Sequence, residues 1–70
     1  MKNKLEELRT QQNWTQQELA ERVGVSRQTI ISLERGRYNP SILLAFRLAS
    51  QFGVRIEDLF IYIPGEDEDA

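Results

Sequence analysis

The feature that most constrains this chain is its punctuation. A hydroxyl-bearing residue opens, and a glycine closes, three successive stretches: Thr15 to Gly24, Ser26 to Gly36 and Ser41 to Gly53. Ser and Thr side chains accept hydrogen bonds from the unpaired N–H groups of a helix's first turn. Glycine adopts the left-handed conformation that ends a helix. Marks this regular leave room only for short helices, which must bury their apolar faces against one another.

Each mark carries local support. Thr15 and Glu18 form a capping box, and Trp14 with Leu19 forms a plausible hydrophobic staple across it, so a helix is predicted over 16–23. Val25 and Ile30 repeat the staple around Ser26, ahead of a helix over 27–35. Tyr38-Asn39-Pro40 then breaks the chain, because the residue before proline avoids helical angles. Ser41 opens a helix over 42–52. Upstream, Asn3 and Glu6 read as a further capping box for a helix over 4–12, with Leu5 and Leu8 as its apolar stripe. Only three residues precede it, so any N-terminal strand is very short. Downstream, a short helix over 56–59 leads into Phe60-Ile61-Tyr62-Ile63, which is β-prone and stops at Pro64-Gly65. The closing GEDEDA is expected to be disordered. Domain boundaries follow: one domain over 1–65 and an acidic disordered tail over 66–70. Trp14, Leu44, Leu48, Ala49 and Phe52 are expected in the core.

Composition narrows the function. Seventy residues form one domain that buries roughly 60% of its unfolded surface, leaving little room for an active-site cavity. The chain has no cysteine and no histidine, so it lacks thiolate ligands, disulfides and the commonest general base. It shows no nucleophile–base pair, no ligand cluster and no phosphate loop. An enzyme is not expected, nor are a cofactor, a metal or a small-molecule ligand. Neither a signal-peptide run nor the ~20 apolar residues of a membrane span is present. A soluble, cytoplasmic protein with no membrane partner is the expectation.

The net charge of −2 and pI near 5.0 conceal an uneven distribution. Four of the eleven acids lie in the last six residues, and the remainder carries nine basic residues against seven acidic ones. Basic chemistry gathers in VSRQTIISLERGRY, residues 25–38. The two helices around Gly24, joined by a three- to four-residue turn, have the helix-turn-helix spacing, at about 16–35, and Ala20 is small where such helices cross. At 100° per residue, with Ile30 at the centre of the buried side, Leu33 and Ser26 flank it and Glu34 lies at its edge. Gln28, Ser32 and Arg35 face outward with Ile31 beside them; Arg27 is intermediate, but in the first turn its long side chain joins the same exposed face. Arg can fork onto guanine, Gln onto adenine, and an apolar group can meet a thymine methyl, so Arg27, Gln28, Ile31 and Ser32 are the base-reading candidates. Arg35 joins Gln16, Gln17, Ser26, Arg37, Tyr38 and Asn39 as a phosphate-contacting candidate, helped by exposed N–H groups at helix N-termini.

The run TQQELAERVGVSRQTIISLERGRYNPS, residues 15–41, resembles the Cro/C1-type (Xre-like) helix-turn-helix family of prokaryotic transcriptional regulators. The likeness extends from about Leu5 to Phe60, and the ending IEDLFIYI is most similar to the short cytolysin-repressor-type regulators. The resemblance implies an all-α fold: a compact five-helix lambda-repressor-like DNA-binding domain with a short C-terminal β segment. It also implies base contacts by Arg27, Gln28 and Ser32, phosphate contacts by Gln16, Ser26 and Arg37, and a structural salt bridge between Arg9 and Glu34. Ile31 departs from the family, which usually has a polar or small residue there. The expected partners are double-stranded DNA and a second copy of the chain. Phe60, Ile61, Tyr62 and Ile63, with help from the last helix and Phe46, exceed what one small core can cover and are the expected dimer interface. The expected function is a sequence-specific dimeric repressor reading a pseudo-palindromic operator. An antitoxin-like protein that binds a toxin and autoregulates its promoter is the alternative.

Overall fold

The computed structural model of the protein describes residues 1–67. Five helices are framed by two short strands: β1 (Lys2–Asn3), α1 (Leu5–Gln11), α2 (Gln16–Val23), α3 (Arg27–Glu34), α4 (Ile42–Phe52), α5 (Ile56–Leu59) and β2 (Phe60–Ile61). The strands pair antiparallel, Lys2 opposite Ile61 and Asn3 opposite Phe60. No helix among the described residues is long and apolar enough to cross a membrane.

The punctuation operates as its chemistry requires. The Thr15 side chain accepts from the Glu18 N–H, while the Glu18 carboxylate accepts from the Thr15 N–H, each at 3.0 Å. Ser26 caps α3 through the Thr29 N–H and Ser41 caps α4 through the Leu44 N–H, both at 3.2 Å. Gly24 closes α2 in the left-handed region, at φ 75°. α3 ends one residue before its expected limit, with Arg35 as its C-cap.

At the first helix the structure corrects the expected capping box. α1 starts at Leu5, and its N-cap, Lys4, makes no side-chain cap. Asn3 lies in β1, paired with Phe60, so its amide is turned to other work. Its Oδ1 accepts from the Leu5 N–H at 3.0 Å, and its Nδ2 donates to the Leu33 carbonyl at 2.8 Å. That second bond ties the strand pair to the last turn of α3.

The core is a single cluster in which Leu5, Leu19, Ile30, Leu33, Leu48 and Leu59 are wholly buried. Ala20, Val23, Leu44, Ala45, Ala49 and Phe60 complete it, and Trp14 and Phe52 pack on its edge as half-buried residues. Their rings stand 5.5 Å apart, and the Arg22 guanidinium lies 4.1 Å from the Trp14 ring centroid. Each fully buried leucine replaced by alanine costs about 2–5 kcal/mol.

Phe60 belongs to this core, only 8% exposed, so it is not surplus surface. The reason is the alternation of a strand: Phe60 points in and Ile61 points out. The tail differs from expectation at its start. Glu66 and Asp67 form a hydrogen-bonded turn on Ile63; residues 68–70 of the expected disordered tail lie outside the described residues.

Candidate nucleic-acid interface

The geometry of the interface begins with the α2–α3 crossing. α2 makes its most extensive contacts with α3. Ala20 is completely buried there, which brings the two backbones close. The turn between them is Gly24-Val25-Ser26, and the Val25 N–H returns to the Ala20 carbonyl at 3.0 Å. Val25 packs against the core as a half-buried residue. With Ile30 and Leu33 buried beneath it, α3 is fixed in rotation about its own axis.

That rotation sets what α3 shows. Arg27 and Gln28 are exposed, and Ile31 and Ser32 are half-buried beside them. Ile31 therefore retains part of its surface rather than standing fully outward. Arg35, Arg37, Tyr38 and Asn39 are exposed around the C-terminal end of α3, and Ser26 and Gln17 are exposed at its other flank. The first turn of α3 contains no acidic residue. Its free N–H groups and the positive end of its dipole thus meet no competing carboxylate within the helix.

Behind this face lies a buried ionic knot. Arg9 Nε donates to Glu34 Oε2 at 2.6 Å and Arg9 Nη2 donates to Glu34 Oε1 at 3.3 Å, while Nη1 reaches the Trp14 carbonyl at 2.8 Å. The side chains are 12% and 4% exposed. Arg9 and Glu34 are thus joined as the resemblance implied, a forked geometry that suits a guanidinium. Gln16 Nε2 adds a third donor to Glu34, at 3.0 Å. Gln16, anticipated as a phosphate contact, is half-buried and spends one amide N–H inside the protein. The knot links the α1 side chain Arg9, the start of α2 and the end of α3.

Two features escaped the sequence reading. One is the Asn3 tie to Leu33, which holds the last turn of α3 from the strand side. The other is the extension of the apolar surface along α4, where Ile42 is 77% and Leu43 61% exposed beside Phe46, already expected there and 58% exposed. Helical arithmetic finds part of it: with Leu44, Ala45, Leu48 and Ala49 turned inward, Leu43 and Phe46 fall on the opposite side, while Ile42 lies at the flank in the first turn. Ile61 (38%) and Tyr62 (53%) are exposed on the strand side. The exposed carboxylate of Glu18 is held below its ordinary value by the Thr15 backbone N–H and hydroxyl.

The helix-turn-helix family profile matches residues 5–59. The chain is 60% identical over 62 residues to an uncharacterized HTH-type transcriptional regulator of Methanocaldococcus jannaschii, covering 89% of this chain and 94% of that one. It is 54% identical over 71 residues to one from Methanothermobacter thermautotrophicus, covering 100% and 97%. Its fold is similar to that of the restriction-modification controller protein C.AhdI from Aeromonas hydrophila, with TM-score 0.72 and 34% identity over 80% of this chain and 85% of that one. With α2 and α3 crossing as described and the match spanning all five helices, the chain belongs to the Cro/C1-type helix-turn-helix family of DNA-binding transcriptional regulators.

Proposed function

We propose that the protein is a dimeric, cytoplasmic repressor that reads a pseudo-palindromic operator with α3 in the major groove. The observation that carries this reading is the composition of α3's outer face. Arg27 and Gln28 are exposed on a helix whose rotation is fixed by Ile30 and Leu33. Arg27, Gln28, Ile31 and Ser32 supply the base contacts. Gln17, Ser26, Arg35, Arg37, Tyr38 and Asn39 hold phosphates on either side, and Gln16 contributes with its remaining amide N–H.

Dimerisation follows from reach. The domain is 33 Å in its longest dimension, while helix-turn-helix dimers place their recognition helices roughly 34 Å apart on one face of the duplex. One copy therefore reads a single half-site. The apolar surface that supports a twofold contact is Ile42, Leu43 and Phe46 on α4, with Ile61 on β2 and Tyr62 and Ile63 beyond it. Phe60, taken up by the core, is left out of the interface. The antitoxin-like alternative would use the same apolar surface for a foreign partner.

A titration tests both parts. Binding to a duplex selected from a random pool should fall steeply with salt. Arg27→Ala or Gln28→Ala should cost about 1–3 kcal/mol on that duplex and little on random DNA, whereas Arg37→Ala should weaken both alike. Equal losses on both duplexes for Arg27→Ala would remove the base-reading assignment. Sedimentation should find a dimer that Phe46→Glu converts to a folded monomer; a wild-type chain that sediments as a monomer would refute the dimer.

A further inference from the structure

Beyond β2 the chain turns back on itself. Gly65 adopts φ 92°, and the N–H groups of Glu66 and Asp67 donate to the Ile63 carbonyl at 3.2 and 3.0 Å. The Asp67 carboxylate closes the loop from the other side, its Oδ2 accepting from the Ile63 N–H at 2.7 Å. Its Oδ1 lies 3.6 Å from the Met1 amine, and the side chain is only 12% exposed. The same amine donates to the Gly36 carbonyl at 3.4 Å. An acidic residue is thus seated, half-buried, at the C-terminal end of the recognition helix.

The neighbours give this seat its meaning. Glu66 and Asp67 share a groove of about 190 Å³ with Gly36, Arg37 and Asn39. They share a second, of about 550 Å³, with Arg35. Charges across so small a groove as the first interact within the screening length of about 8 Å at physiological salt. Carboxylates held there lower the positive potential of the loop assigned above to phosphate contact. Glu68 and Asp69 continue the same charge along the sequence.

We propose that the Glu66–Asp67 turn is an intramolecular competitor of DNA phosphate, latched by Asp67 beside the 35–39 loop. It rests on the reading that this loop contacts phosphates. The latch weakens binding to any duplex through the phosphate term, while the base contacts of Arg27 and Gln28 lie outside it. The acidic segment therefore lowers absolute affinity for operator and random DNA alike and leaves their ratio unchanged.

The test compares two full-length variants of equal charge, Asp67→Ala and Glu66→Ala, titrated with a random-sequence duplex at low salt. Each removes one negative charge, but only the first removes the latch. Asp67→Ala is expected to tighten binding roughly three- to tenfold and Glu66→Ala less than about twofold. In the DNA-free protein, Asp67→Ala should also move the Gly36 and Arg37 amide resonances, and Glu66→Ala should move them little. Equal tightening by the two variants, or no tightening by either, overturns the proposal while leaving the DNA reading intact. Unmoved Gly36 and Arg37 resonances overturn it without reference to DNA. Failure of every form to bind any duplex overturns the DNA reading and this proposal with it.

Discussion

Replacing Arg9 with methionine should remove a large share of the protein's stability. The substitution keeps an unbranched apolar stem and removes the guanidinium, and with it both hydrogen bonds to Glu34 and the one to the Trp14 carbonyl. What remains is a carboxylate with a 4% exposed side chain and one neutral donor, Gln16. Breaking a buried pair by removing one partner costs about 3–5 kcal/mol, because the survivor is left uncompensated. The retained Gln16 bond places the expected loss near the lower end, about 3 kcal/mol. A domain of 70 residues has a total stability of roughly 3.5–10 kcal/mol at ordinary values per residue. Urea unfolding followed by circular dichroism measures the loss. With a slope near ~1 kcal/mol per molar urea, the midpoint should fall by about 3 M. The double variant Arg9→Met/Glu34→Leu removes both charges and should be less impaired than the sum of its parts. A loss under about 1 kcal/mol for Arg9→Met would put the pair in the class of exposed ion pairs and refute the buried knot.

Two further outcomes are expected. Gly36→Ala should cost more than Gly53→Ala in the same urea assay: both glycines have positive φ, at 70° and 66°, but a Cβ at Gly36 would meet the Met1 carbonyl oxygen at 3.0 Å while one at Gly53 meets nothing within 4 Å. The shared left-handed cost is roughly 1–2 kcal/mol, and equal losses would show that Met1 does not constrain the turn. On acidification, Glu18 and Asp58, held below their ordinary values of 4.5 and 3.8 chiefly by hydrogen bonds from Thr15 and Arg55, contribute stability that is fully present above those values and lost as pH falls through the lower folded ones. Glu18→Gln keeps a capping-box side chain, so its melting temperature should decline less steeply across that acidic window, and an unchanged slope would refute the cap's electrostatic share.

Local chemistry made most of the helices readable. Caps such as Thr15–Glu18, Ser26 and Ser41 act within three residues, and Gly24 and Gly53 act on their own backbones, so distant contacts do not alter them. Asn3 shows the limit. One amide can cap a helix or tie two elements together, and the pairing of β1 with a strand 57 residues away decides which. Phe60 was misplaced for a related reason: a β-prone run exposes alternate residues, and its phase depends on the partner strand. Gln16 is half lost to phosphate contact because Glu34, eighteen residues on, claims one of its donors. The face of α3 was legible because its buried residues, Ile30 and Leu33, fix the helix's rotation from within its own sequence. On α4 the same rule puts Leu43 opposite the buried face, whereas the exposure of Ile42 comes from its place in the first turn.

The pairing of Lys2–Asn3 with Phe60–Ile61 has a consequence for how the protein is made. A ribosome adds roughly 5–20 residues per second, so the first strand waits about 3–12 s for its partner to be synthesised. Until then Asn3 has no strand to hold it beneath Leu33, and the core lacks Leu59 and Phe60. Closing a loop of that length carries its own entropic cost, which the last strand must overcome when it arrives. A nascent chain can form the α2–α3 pair early, yet the final turn of the recognition helix gains its tie only when the last element has emerged. Premature termination before Phe60 would therefore release a chain that contains every base-reading residue but holds α3 loosely at its C-terminal end.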